Sequence, residues 1–385
     1  MPGNLEENKP LAPFTTFGIG GPARWFLEAA SEDEIVEATG WAREQGIALF
    51  VLGGGSNLLV ADRGFDGLVL RVGLRGIEVV PESGADGTSG AKAPSLSSRD
   101  VCGTTEVVPF QTFRSDSVLF RLAAGEDWDG FVQRTVEDGC AGVECLAGIP
   151  GTVGGTPVQN VGAYGQEVAP VIELVRAYDL NELRFREFSA AECGFAYRRS
   201  RFNSLDRGRF IVTRVDYALR PAGAPTLGYP DLRRAIEKAV PEGREPTLAE
   251  VASVVRRVRR SKGMLLVDGD PDCRSAGSFF KNPVVGVEDV RRIAEASGKE
   301  PTTFSAGPEQ AGRVKVPAAW LIEKAGFTKG YTLGNAGVSS RHTLALINRG
   351  GATAAEIMAL ADRISGAVEA RFGITLEMEP VLLGF

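Results

Sequence analysis

The chain has 385 residues, a formal net charge of −6 and a single histidine, His342. That length supports two or three domains with cores of their own; the acidic balance excludes a general nucleic-acid binder, and one histidine excludes a multi-histidine metal site. No apolar run approaches the roughly 20 residues of a membrane span, and the opening MPGNLEENKP lacks the basic-then-apolar layout of a signal peptide. The five cysteines are scattered with no CxxC pair. A cytoplasmic, monomeric protein with reduced thiols, no metal and no membrane contact is expected.

In chain order, Ser31 to Glu34 forms a capping-box pattern that predicts a helix through Ile35, Val36 and Ala38 to about Gln45. A strand over 48–52 runs straight into Gly53-Gly54-Gly55-Ser56-Asn57, and another follows over 67–72. Residues 81 to about 117 are rich in Ser, Gly and Ala and show no hydrophobic period. They read as a flexible insertion in a hairpin between strands at 77–80 and 118–123. A helix over 127–138 stacks Trp128, Phe131, Val132 and Val136.

Beyond a glycine-rich stretch at 146–166, strands are expected at 172–178 and 210–219. The proline-rich loop 221–230 marks a boundary. A helix near 248–261 has an apolar face and a basic one. The last helix opens on the capping box Thr353 to Glu356 and stops at Gly373. The fold class is α+β.

Two segments carry chemistry. In Gly53-Gly54-Gly55-Ser56-Asn57, consecutive glycines let the backbone approach an anion and aim several N–H groups at it. Three glycines can equally make a tight turn. The spacing is neither a Rossmann fingerprint nor a Walker loop. The second segment runs Ile149-Pro150-Gly151-Thr152-Val153-Gly154-Gly155 and on through Asn160, Gly162 and Ala163 to Gly165. Small residues alternating with amides can lie along a planar cofactor. A pyrophosphate loop and a ring loop together suit a dinucleotide.

The segments TTFGIGGPA (15–23), LGGGSNLLV (52–60), GIPGTVGGTPVQNVGAYG (148–165), FAYRRSRF (195–202), AGSFFKNPVV (276–285), AAWLIEKAGFTKG (318–330) and LEME (376–379) resemble, in order, those of the UDP-N-acetylenolpyruvoylglucosamine reductase family. The resemblance spans nearly the whole chain. It implies an FAD-binding fold of the vanillyl-alcohol-oxidase type, built of two subdomains over 1–222. It also implies a smaller α+β substrate-binding domain over 223–350, and a C-terminal helix and strand over 351–385. FAD as cofactor, NADPH as reductant and enolpyruvyl-UDP-N-acetylglucosamine as substrate follow from the same resemblance.

The family's catalytic positions match Arg198, Ser278 and Glu379. For the acid, Glu377 and Glu379 alternate along one strand, and only the family pattern selects the second. The FAD positions fall on Gly53, Gly54, Gly55, Ser56, Asn57, Ile149, Pro150, Gly151, Thr152, Gly154, Gly155, Asn160, Gly162 and Ala163. The substrate positions are Tyr229, Lys262, Lys281 and Asn282. Segment 227–232 is similar to the loop of a subgroup that closes a tyrosine over the substrate; Pro230 and the insertion depart from it.

Within this fold many oxidases tether FAD to a histidine. His342 lies far from both glycine loops in sequence, so a noncovalent flavin is expected. Rival readings are another flavin oxidoreductase of the fold and a non-catalytic flavin or UDP-sugar binder, which has no need to keep Arg198, Ser278 and Glu379 together.

Overall fold

The structure is a computed structural model that describes residues 2–80, 117–306 and 310–385. The insertion expected at about 81–117 lies outside the described residues except for Ser117, as does Cys102.

The first sheet orders four strands as Glu6–Pro10, Pro22–Ala29, Phe65–Val72 and Leu49–Leu52. The last three run parallel. Parallel strands need a crossover, and helix Glu32–Glu44 makes it from Pro22–Ala29 to Leu49–Leu52, which lie on either side of Phe65–Val72. Ser31 caps that helix by accepting from Glu34 N. The Glu34 carboxylate reaches back to Ala30 N rather than to the cap residue itself. Ile35, Ala38, Thr39 and Ala42 are the buried face.

The second sheet is antiparallel, in the order Arg184–Ser189, Ile172–Asp179, Phe210–Pro221, Val118–Ala123 and Ile77–Val80. Helix Trp128–Glu137 packs on it, capped by Asp127. Its buried residues are Trp128, Phe131, Val132 and Thr135, with Val136 only at the edge.

Three hydrophobic clusters divide the chain differently from the expected boundaries. Helices Pro230–Glu237 and Leu248–Ser261 bury Leu232, Ile236, Val251 and Val255 in the same core as both sheets. The proline-rich loop before them changes direction without separating cores, and Pro230 serves as the first residue of its helix, where a missing N–H costs nothing. The second cluster joins Phe279, Phe280, Leu321 and Leu346 to Ile357, Leu360 and Ile364. Helix Ala354–Phe372 therefore belongs with the preceding segment, not apart from it. Asp62 accepts from Ala354 N at 2.7 Å and Ala355 N at 3.0 Å, which adds a carboxylate to the positive end of this helix.

A third, small cluster contains Leu11, Leu52, Leu58, Val60 and Leu383. The C-terminal strand Val381–Leu383 returns to pair in parallel with Leu58–Val60, just after the first glycine loop. This return brings the end of the chain to the site.

Candidate active site

Both glycine segments line one cavity of about 470 Å³, within the range of small-molecule sites. Gly54 packs backbone to backbone on the second segment: a Cβ there would stand 2.5 Å from Gly151 Cα. Gly55 has φ +63°, and its Cβ would fall 1.7 Å from Phe14 O. Neither position admits a side chain. Among the described residues, none of the N–H groups of Gly53 through Asn57 donates to a protein group. Five consecutive donors bordering a cavity form a ready cradle for an anion. Asn57 spends its side-chain amide on Gln159 Oε1 (2.8 Å) and Glu379 O (3.2 Å), so it joins both glycine segments to the C-terminus.

Arg198 sits at the tip of a tight hairpin closed by Ala196 and Arg199, with φ +55°. A non-glycine residue pays strain in that region, and such strain collects at functional sites. Asn203 Nδ2 holds the hairpin by donating to Arg198 O. The guanidinium reaches the cavity, where Nη2 donates to Gly162 O at 2.8 Å. Its Nε lies 3.2 Å from Glu379 Oε1 but off the N–H axis, and it has no hydrogen-bond partner among the described residues. The pair is a charge contact with unspent donor capacity. Arg199 points to solvent.

Ser278 and Glu379 are brought together by a short ribbon. Glu379 N donates to Phe279 O and Lys281 N to Glu377 O. Phe279 and Phe280 are buried, which anchors the serine's segment. The surroundings separate the two acids that sequence pattern leaves equal. The Glu377 side chain is 72% exposed and pairs with Lys281, whereas Glu379 is 14% exposed beside Arg198. Burial pushes the Glu379 carboxyl above the usual carboxylate range, against the pull of Arg198 and Lys281.

The opposite wall is cationic. Arg259, 9% exposed, donates to Gly148 O and Met264 O and forms no ion pair with a carboxylate among the described residues. Lys262 follows it, 5.8 Å from the centre of the Tyr164 ring, which meets Tyr229 edge-on. Burial lowers the Lys262 pKa, and neighbouring Arg259 and Lys329 lower it further, while Asp231 opposes them. His342 lines the same wall. Burial, then Lys262 and Lys329, hold its pKa down at about 4. Leu344 N donates to its Nδ1, which fixes the neutral ring with the proton on Nε2.

Most expected site residues line the cavity: Gly53, Gly54, Gly55, Ser56, Asn57, Ile149, Pro150, Gly151, Thr152, Gly155, Gly162, Ala163, Arg198, Tyr229, Lys262, Ser278 and Glu379. Four lie off its wall. Gly154 packs against Ala124, Asn160 is buried on Glu167 and Ala196, Lys281 is paired with Glu377, and Asn282 accepts from Ala318 N at a helix start. His342 corrects the sequence argument: distance along the chain did not keep it from the glycine loops. Arg259 was hidden in a basic run whose other members, Arg257 and Arg260, are solvated and whose Arg256 pairs with Asp129.

Comparison with known proteins adds to this geometry. Residues 270–383 match the C-terminal domain of UDP-N-acetylenolpyruvoylglucosamine reductase, and residues 23–97 and 109–180 match an FAD-binding domain. A relative of that name from Thermobifida fusca is 44% identical over 100% of this chain and 99% of its own. The chain belongs to the UDP-N-acetylenolpyruvoylglucosamine reductase family. Another member, from Pseudomonas aeruginosa, is 38% identical over 98% of each chain. The crystal structure of the Thermus caldophilus reductase covers 98% of each chain at 25% identity, with a TM-score of 0.59. FAD is accordingly the cofactor and NADPH the reductant. The cavity fits such a group: the free N–H row of the first loop suits a pyrophosphate, and the second loop adds a wall of small residues.

One consequence concerns pH. Because burial raises the Glu379 pKa, the group stays protonated to higher pH than an ordinary carboxyl, and the protonated fraction falls as pH rises through the pKa. Turnover that needs the proton falls along the same limb. Glu379→Gln keeps a donor that cannot ionise, so its pH–rate profile should lose that limb. An unchanged limb in the variant would assign the titration to another group.

Proposed function

We propose that the cavity reduces enolpyruvyl-UDP-N-acetylglucosamine to UDP-N-acetylmuramate in a monomeric, cytoplasmic enzyme. The observation that carries this reading is the meeting of Arg198 and Glu379 with the Ser278 segment where two glycine loops border one cavity. Gly53 to Asn57 and the Ile149–Gly155 segment hold FAD; Lys262 and Tyr229, on the cationic wall, receive the nucleotide diphosphate end of the substrate. The flavin is held without a covalent bond. The yellow chromophore should therefore leave the protein on acid denaturation; flavin retained on the precipitated chain would contradict this, with His342 as the first residue to inspect.

Bound FAD supplies the hydride that NADPH provides. The chain's own groups handle charge and protons. As the enol-ether double bond accepts hydride at its terminal carbon, negative charge builds on the substrate's carboxylate. The Arg198 guanidinium and the protonated Glu379 carboxyl hold that charge. The Ser278 hydroxyl gives its proton to the ether-bearing carbon. A serine is a weak acid, but this carbon is a strong base at that moment, so the transfer runs downhill.

Ser278 therefore divides the two half-reactions. In Ser278→Ala, bleaching of the flavin by NADPH should keep nearly its normal rate, because no proton moves to the sugar there. Reoxidation by the enolpyruvyl substrate should slow by at least ~100-fold, the lower range for a lost general acid, and Ser278→Cys should recover part of it. Stopped-flow absorbance reads both steps. Equal slowing of both would mean that Ser278 shapes the site instead of donating the proton.

A further inference from the structure

The segment Thr15 to Ala23 lies between the two halves of the site. Thr16 N donates to Gly55 O at 3.3 Å, so its backbone is joined to the first glycine loop. Its Oγ1 lies 2.6 Å from Ser275 O and 3.3 Å from Ser56 O. One hydroxyl carries one proton and can donate it fully to one carbonyl. The shorter distance assigns it to Ser275.

Ser275 begins the segment that ends at the candidate proton donor. It is 4% exposed, and its own hydroxyl accepts from Gly277 N at 3.2 Å, which closes a tight turn. Gly277 takes φ +72° and leads directly to Ser278. Downstream, Phe279 N donates to Leu344 O at 2.8 Å. Ser278 thus stands between two anchors. Leu344 belongs to the same hydrophobic cluster as Phe279. The Thr16 bond is different, because it ties the serine's segment to the loop that borders the cavity from the other side.

We propose that Thr16 is a positioning residue for Ser278: its hydroxyl fixes the serine's segment in register with the first glycine loop. The proposal rests on the reading of Ser278 as proton donor. Asn348 supports the same stretch independently, with its N donating to Arg274 O at 2.9 Å and its Nδ2 to Phe17 O at 3.0 Å. Removing the Thr16 hydroxyl therefore leaves the fold's own attachment in place and deletes only the cross-link.

The test compares Thr16→Val, which keeps the shape and loses the donor, with Thr16→Ser, which keeps the donor. Each is made in the wild-type and Ser278→Ala backgrounds and studied as FAD-loaded protein by stopped flow. In the wild-type background, Thr16→Val should be reduced by NADPH at a normal rate and reoxidised by the enolpyruvyl substrate about 10-fold more slowly, as expected for a modestly misplaced proton donor. Thr16→Ser should restore most of that. In the Ser278→Ala background, Thr16→Val should add nothing, because the group it positions is gone. Equal slowing of both half-reactions, no effect on either, full additivity with Ser278→Ala, or a Thr16→Val protein that does not fold or does not hold FAD would each overturn the proposal. Failure of the Ser278 reading would show separately, as a Ser278→Ala protein that reoxidises normally with Thr16 intact.

Discussion

Everything at the site depends on the contact between two stretches of bare backbone. Gly54 meets Gly151 so closely that a Cβ would stand 2.5 Å from the neighbouring Cα. Because no side chain fills the gap, the two loops share one cavity and leave a row of N–H groups along its border. An anionic ligand at this border can accept from that row of donors.

The second constraint is the return of the C-terminus. Pairing of Val381–Leu383 with Leu58–Val60 fixes Glu379 beside Asn57, and Asn57 in turn holds Gln159 of the other loop. One amide therefore joins its own segment to two others far apart in sequence. The acid that results is buried next to a strained arginine, and burial outweighs the arginine in setting its protonation. On the opposite wall, Arg259, Lys262 and neutral His342 give a cation-rich surface that, among the described residues, forms no ion pair with a carboxylate. The two walls suit a substrate with a reactive carboxylate at one end and a diphosphate at the other.

Local signals in the sequence carried a long way. The caps at Ser31 and Thr353, the stop at Gly373 and the strands flanking both glycine loops follow from patterns a few residues long. What is not local was not legible. The helices over 230–261 look like the start of a new unit after a proline-rich loop, yet their apolar faces complete the first core. Glu377 and Glu379 have the same spacing pattern and differ only in what folds over them. Asn282 and Asn160 read as site amides but satisfy backbone groups and a neighbouring carboxylate. His342 lies far from the glycine loops along the chain yet lines the same cavity, because folding does not respect distance in sequence.

Gly155 gives the most direct test of whether FAD occupies this cavity. Gly155 lines the cavity, and a Cβ added there meets no protein atom within 4 Å. Gly155→Ala should leave the melting temperature of the flavin-free protein unchanged, because nothing in the chain is displaced. Titration of that protein with FAD, followed by quenching of flavin fluorescence, should show binding weakened by about 10-fold or more, equivalent to about 1.4 kcal/mol. An unchanged FAD affinity with an intact fold would mean that the cofactor does not occupy this space.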